Sequence, residues 1–99
     1  MHTHTVFFWL KETTDDDTRR KFRKGLEHLL QDPHIKDYTI GTPANTDRDV
    51  VDNTYDFAIV VNFFTTQDHD AYQVGQHHAD FLNICQAHWS QVKVYDIIS

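Results

Sequence analysis

At 99 residues, with 39% hydrophobic and 13% aromatic side chains, the chain has room for one core and one domain (1–99) and is too apolar for a disordered segment. A formal net charge of -6 argues against nucleic acid as the main partner, because phosphate binding needs clustered Lys and Arg. The single cysteine, Cys85, excludes an intrachain disulfide, and neither a long apolar run nor a basic start followed by an apolar stretch is present. The expectation is a soluble cytoplasmic protein with no membrane partner.

The chain opens on a strand over His2 to Lys11. Val6-Phe7-Phe8-Trp9-Leu10 is apolar on both alternating faces, the pattern of a strand covered on both sides. A helix follows over Thr13 to Gln31, with Thr14 as N-cap, Asp17 three residues on, and Phe22, Leu26, Leu29 and Leu30 on one face. Asp15, Asp16 and Asp17 precede Arg19, Arg20 and Lys21 by four residues, which makes the one basic cluster a solvated, self-paired helix face. Gly25 sits in mid-helix at a cost of about 1 kcal/mol relative to Ala, which marks a close contact or a pocket wall. Pro33 stops the helix.

Ile35 to Gly41 reads as a weaker strand, and Gly41 to Asn53 as a loop rich in turn formers. Tyr55 to Phe64 is the clearest strand, with Phe57, Ile59, Val61 and Phe63 on one face and Ala58, Val60, Asn62 and Phe64 on the other. Asp68 to Val74 forms a short helix, Gly75 a break, and Gln76 to Trp89 a second helix. Gln91 to Ile98 closes the chain as a strand, with Val92, Val94 and Asp96 on one face.

The order β-α-β-β-α-β is that of the ferredoxin-like α+β fold: a four-stranded antiparallel sheet with its helices on one face. Helices can cover only that face, yet the strands are apolar on both. The second face, with Phe7, Trp9, Ala58, Val60 and Phe64, therefore calls for a second copy of the chain, closing a dimeric α/β barrel.

The strand His4 to Lys11, the helix with Phe22 and Leu26, Tyr55-Asp56-Phe57-Ala58-Ile59-Val60-Val61, Tyr72 followed by His78, then Phe81, Trp89 and Val92-Lys93-Val94-Tyr95-Asp96 together resemble the stress-responsive A/B barrel (Dabb) family. The resemblance spans nearly the whole chain and implies a homodimer whose sheets face each other. It also implies a candidate catalytic pair, Tyr72 and His78. A plant polyketide cyclase of this family uses a tyrosine and a histidine at that spacing for an aldol closure that needs no cofactor. The chain departs from the cyclase at Lys21 and Gly25, where the cyclase has aromatics on the first helix, and at Gly75-Gln76-His77, where many relatives carry His-Pro.

If the His4, Val6 and Phe8 face meets the helices, His4, Tyr72 and His78 converge beside Phe22, Ile59, Val61, Phe81 and Trp89. These residues form a candidate ligand pocket with polar groups at the end of an apolar wall. His can accept a proton near neutral pH and Tyr can donate a hydrogen bond to a developing enolate. Gly25 then leaves space in the wall, and Lys21 stands at the rim, where it can meet an acidic group on a ligand. His2 and His4 share a strand face and His77 and His78 are adjacent, but no HExxH or two-histidine-one-carboxylate spacing occurs, so no metal ligand set and no cofactor is expected. Asp68-His69-Asp70 reads as helix capping, His28, His34 and His69 as surface residues, and Cys85 as core. Three functions stay open: a small-molecule site that binds or catalyses, a dimeric interaction module without chemistry, and a cofactor-free monooxygenase of the antibiotic-biosynthesis type.

Overall fold

A computed structural model describes residues 1–99. The elements are β1 (His2–Leu10), α1 (Asp16–Leu29), β2 (Asp37–Gly41), β3 (Phe57–Phe63), α2 (Thr66–Gln73), α3 (Gln76–Cys85) and β4 (Trp89–Ile98), with one 3-10 turn at Gln86–His88. The four strands form one antiparallel sheet in the order β2-β3-β1-β4. This is the ferredoxin-like arrangement, with the second helix of the pattern broken into α2 and α3.

β1 is central and pairs along its length with β3 on one side and β4 on the other. Its alternation is unbroken: His2, His4, Val6, Phe8 and Leu10 are buried, while the residues between them are half-buried. β3 repeats the pattern, with Phe57, Ile59, Val61 and Phe63 buried under the helices. Phe22, Leu26 and Leu29 from α1, Tyr72 from α2, and Phe81 and Cys85 from α3 complete the core on that side of the sheet. Phe64 falls one residue past β3 and is exposed, with Lys36 Nζ 5.5 Å from its ring centre.

Several boundaries differ from the sequence reading. Asp15, not Thr14, caps α1: its backbone is extended and its carboxylate accepts from Thr18 N at 2.7 Å, while Thr14 N closes a turn onto Lys11 O. A carboxylate at that end also meets the positive end of the helix dipole. Asp15 is thereby spent, so the expected ladder of ion pairs shrinks. Asp17 meets Lys21 at 3.0 Å and Arg20 at 3.6 Å, and Arg19 turns to Asp56 at 2.9 Å. Asp56 also accepts from Leu10 N, which ties α1 to the end of β1. α2 is capped by Thr65, whose hydroxyl accepts from Asp68 N, so the capping role expected of Asp68-His69-Asp70 passes to Thr65. α3 ends at Cys85, four residues before the expected end at Trp89. The chain tightens there so that His88 O can accept from Lys11 N, and Trp89 starts β4 opposite Leu10.

Gly25 is a close contact rather than a pocket wall. α1 and α3 cross there, and a Cβ on Gly25 would overlap Cys85 Sγ and come within 3.2 Å of Ile84 Cγ2. Cys85 is fully buried, and burial pushes its thiol up to about 12, so it is a packing group and not a nucleophile. Gly25→Ala gains about 1 kcal/mol of helix propensity but incurs an overpacking cost of about 1–3 kcal/mol. We expect a net loss of stability, seen as a lower Tm, that Cys85→Ala largely restores in the double variant. A Gly25→Ala protein as stable as the wild type would show that Cys85 swings aside freely.

Candidate functional site

Between the sheet and the α2–α3 pair lies a cavity of about 170 Å³. β1 contributes His4, Val6 and Phe8, β3 contributes Ile59, α2 contributes Tyr72, α3 contributes His78 and Phe81, and β4 contributes Trp89, Val92 and Val94. Both residues of the expected catalytic pair, and six of the eight residues expected around it, therefore line one cavity. The exceptions are Phe22 and Val61, which are sealed in the core at 0% exposure. Phe22 stacks on Phe57, 5.7 Å between ring centres, and reaches the site only through Phe8, Phe81 and Trp89. Leu29, Gln73 and Leu82 complete the wall without having been foreseen.

Gly75 places Tyr72 and His78. Its backbone is extended (φ -82, ψ 167), so α2 stops and α3 restarts on a new axis. Gly75 N donates to Tyr72 O, and a Cβ at Gly75 would sit 3.2 Å from both Ala71 O and Asp32 Oδ2. The bend turns Tyr72 and His78 toward each other, with ring centres 5.6 Å apart and planes at 81°. Tyr72 also meets His4 edge-on at 5.9 Å. Neither Tyr72 nor His78 spends its polar tip on a side-chain hydrogen bond, and neither is a buried polar group lacking a partner, so both tips are open to the cavity.

The electrostatics separate the two groups. Burial, with the carboxylate of Asp32 adding to it, raises the Tyr72 phenol well above its ordinary value, so it stays protonated and can donate a hydrogen bond. Burial lowers the His78 imidazole below its ordinary value, with His4 and His69 adding to the effect, so it is neutral at pH 7 and can accept a proton.

Lys21 and Gly25 take no part. Lys21 is 68% exposed and paired with Asp17, so it does not stand at the rim, and Gly25 faces Cys85 rather than the cavity. Both expectations rested on the resemblance of the first helix to that of the cyclase. In this chain that helix presents Phe22, Leu26 and Leu29 to the core instead.

At the end of β1 next to this cavity the histidines gather. His4 Nδ1 lies 2.6 Å and His2 Nε2 lies 2.9 Å from the same oxygen of Asp96 on β4. His69, expected on the surface, is only 9% exposed and turns inward to stack on His2 at 4.0 Å between ring centres. His28 and His34 lie nearer the surface, at 42% side-chain exposure each.

On the opposite, uncovered face of the sheet a wider concavity of about 430 Å³ is lined by Phe7, Trp9, Tyr55, Lys93 and Tyr95, among others. Phe7 packs edge-on against Tyr55 at 5.0 Å, and Trp9 donates to Thr54 Oγ1 at 2.9 Å. Tyr95 and Ile97 remain more than half exposed. No imidazole lines this concavity.

Fold and cavity together define a ferredoxin-like α+β domain with a small, apolar, His- and Tyr-tipped site between helices and sheet. The chain belongs to the Stress responsive A/B Barrel Domain family, whose model matches residues 3–99. Among solved structures it is similar to a dimeric ferredoxin-like protein of unknown function from Thermobifida fusca, with TM-score 0.80, 22% identity, and 99% of this chain and 90% of that one covered. It is also similar to the hydroxynitrile lyase of Passiflora edulis, with TM-score 0.79, 19% identity and coverages of 99% and 92%. An antibiotic biosynthesis monooxygenase shares the fold at TM-score 0.71 and 17% identity, covering 100% of this chain and 98% of that one. No curated protein matches the sequence. No helix is long and apolar enough to cross a membrane.

The His78 environment has a pH signature. The ionisable groups acting on or touching it are His4 on β1 and His69 and Tyr72 on α2. A histidine whose folded pKa is depressed takes up its proton more readily in the unfolded chain. Its contribution to stability is therefore undiminished above the unfolded value of about 6.5 and is lost as pH falls from there through the folded value. His78→Gln should thus flatten part of the acid limb of the stability curve while leaving stability above pH 7 little changed. In an NMR titration the wild-type His78 ring should titrate below the ordinary histidine value. Titration above that value would mean a carboxylate partner and no neutral base.

Proposed function

We propose that the protein is a homodimeric, cytoplasmic small-molecule-binding domain whose pocket performs acid–base chemistry with Tyr72 and His78. The observation that carries this reading is an imidazole and a phenol meeting edge-on, ring centres 5.6 Å apart, at the end of an apolar cavity. His78 takes a proton from an acidic C–H or O–H of the ligand. Tyr72 donates a hydrogen bond to the oxygen where negative charge collects, and His78 returns the proton to carbon or to a departing group. The cycle requires no cofactor. A lyase among the proteins of the same fold supports this class of chemistry.

The cavity sets the size of the ligand. About 170 Å³ is close to the 150 Å³ of a cavity that holds benzene, and below the 300–1,000 Å³ of drug-sized pockets. The ligand is a single ring or a short branched carbonyl compound, not a long alkyl chain. With Lys21 away from the rim, no cation of the chain selects for a carboxylate, so neutral carbonyl and phenolic compounds are the first choice.

A thermal-shift screen of such compounds tests the site. A ligand at a hundredfold its Kd adds about 2.7 kcal/mol of stability. That gain should persist in Lys21→Ala and shrink in Tyr72→Phe and His78→Gln. Equal stabilisation of all four proteins would place the ligand elsewhere. Binding without turnover would leave the pocket as a carrier site.

The uncovered sheet face supports the homodimer. Phe7, Trp9, Val60, Tyr95 and Ile97 lie on one side of a sheet whose other side carries the helices, and a second copy brings the same apolar surface in self-complementary form. The T. fusca protein of this fold is described as dimeric. Light scattering at micromolar concentration should give twice the chain mass, and Trp9→Glu or Val60→Glu should give the single-chain mass. A wild-type monomer with Trp9 wet would refute the assembly.

A further inference from the structure

The polar end of β1 carries a constellation that the acid–base reading does not use. One nitrogen from each of His2, His4 and His69 and one carboxylate oxygen of Asp96 all lie within 4.8 Å of one another. We propose that these four residues form a binding site for a divalent transition metal of the zinc type. This inference does not rest on the proposed function.

The donor set is the first argument. Three imidazoles and one carboxylate make an N₃O shell, which suits Zn²⁺ and its neighbours. Mg²⁺ and Ca²⁺ prefer oxygen alone. Distances come next. Around a tetrahedral Zn²⁺ with bonds of about 2.0–2.1 Å, ligand atoms stand about 3.3 Å apart. The present separations from Asp96 Oδ1 are 2.6 Å to His4 Nδ1, 2.9 Å to His2 Nε2 and 3.8 Å to His69 Nε2, which bracket that value. No pair of the four is farther apart than 4.8 Å, so side-chain rotations converge them on one centre.

The ring orientations are the third argument. In metal sites the far nitrogen of each histidine is held by an oxygen, which aims the near nitrogen at the metal. His2 Nδ1 is held by Thr66 Oγ1 at 3.2 Å, and His69 Nδ1 by the Asp70 carboxylate at 3.1 Å. Both therefore point Nε2 inward. Hydrogen bonding to Asp96 alone does not require a third imidazole, yet His69 is stacked on His2 with its Nε2 turned the same way. One contact must yield: the Gln73 amide lies 3.2 Å from His69 Nε2 and swings aside when the metal binds.

The four ligands come from β1, α2 and β4, so the metal clamps α2 onto the sheet one turn before Tyr72. A closed four-ligand shell is the structural type, which leaves no open position for a substrate.

The test is titration of the untagged, metal-free chain with Zn²⁺ by calorimetry, and with Co²⁺ by visible absorption. We expect one ion per chain with a micromolar or tighter Kd, and Co²⁺ bands of tetrahedral intensity. His69→Gln and Asp96→Asn, both at the margin of the core, should weaken binding at least about tenfold, and Asp70→Asn about 10–100-fold by loosening its hold on His69 Nδ1. His28→Gln and His77→Gln, a stacked pair elsewhere on the surface, should change nothing. No binding by a folded wild-type chain would overturn the site. So would binding that His69→Gln and Asp96→Asn leave intact, or that His28→Gln or His77→Gln abolishes.

Discussion

The structure depends on one strand having to bury a face that is half apolar and half imidazole. β1 is paired on both edges, so its inward face cannot escape the helices, and that face reads His2, His4, Val6, Phe8, Leu10. The apolar half needs only packing, which Phe22, Phe57, Phe81 and Trp89 supply around Phe8. The imidazole half needs partners, because a buried polar group without one costs about 1–3 kcal/mol. Asp96 on the neighbouring strand supplies them for both rings. His4 then stands at the border, with one nitrogen on Asp96 and its ring forming part of the cavity wall.

The cavity follows from the way the helical layer must cover that border. α1 packs tightly on α3 because Gly25 lets Cys85 in, which leaves no room on that side. α2 cannot continue into α3 without carrying Tyr72 away from the sheet, so the chain breaks at Gly75 and restarts. The break leaves a gap between Tyr72, His78 and β4 that Trp89 and Val92 line but do not fill. The glycine that closes the packing and the glycine that opens the cavity thus act at opposite ends of α3.

Most of this was legible in the sequence because it rests on periodicity. Strict alternation in β1 and β3 fixes which side chains face inward, His4, Val6, Phe8 and Ile59 among them. Alternation also turns Val61 inward, and helical spacing turns Phe22 inward, yet both are sealed in the core away from the cavity. Facing inward decides burial, but which buried residues border a void depends on how three helices settle, and periodicity carries no information on that. The histidine cluster was missed for another reason. Its members are spread over β1, α2 and β4, and no short spacing joins them. A usable signal is present: Asp96 shares one face of β4 with Val92 and Val94, and antiparallel pairing with β1 in the observed register puts it beside His4. His69 carried no such mark, because in Asp68-His69-Asp70 the flanking acids suggested solvent, whereas the hydroxyl of Thr65 took the cap and freed the helix to turn His69 inward.

The cavity and the histidine cluster are electrically one neighbourhood. Tyr72 lies between them, 5.9 Å from His4 and 5.6 Å from His78, and one turn after His69. His4 and His69 are both among the groups that hold the His78 proton affinity down. Positive charge gathered on the cluster, whether as a bound cation or as protonated imidazole, strengthens that effect in a region where apolar walls screen it poorly. The neutral state of His78 is therefore partly a property of residues at the far end of β1. A change at His69 or Asp96 reaches the cavity through charge and through the seating of α2, even though neither side chain lines it.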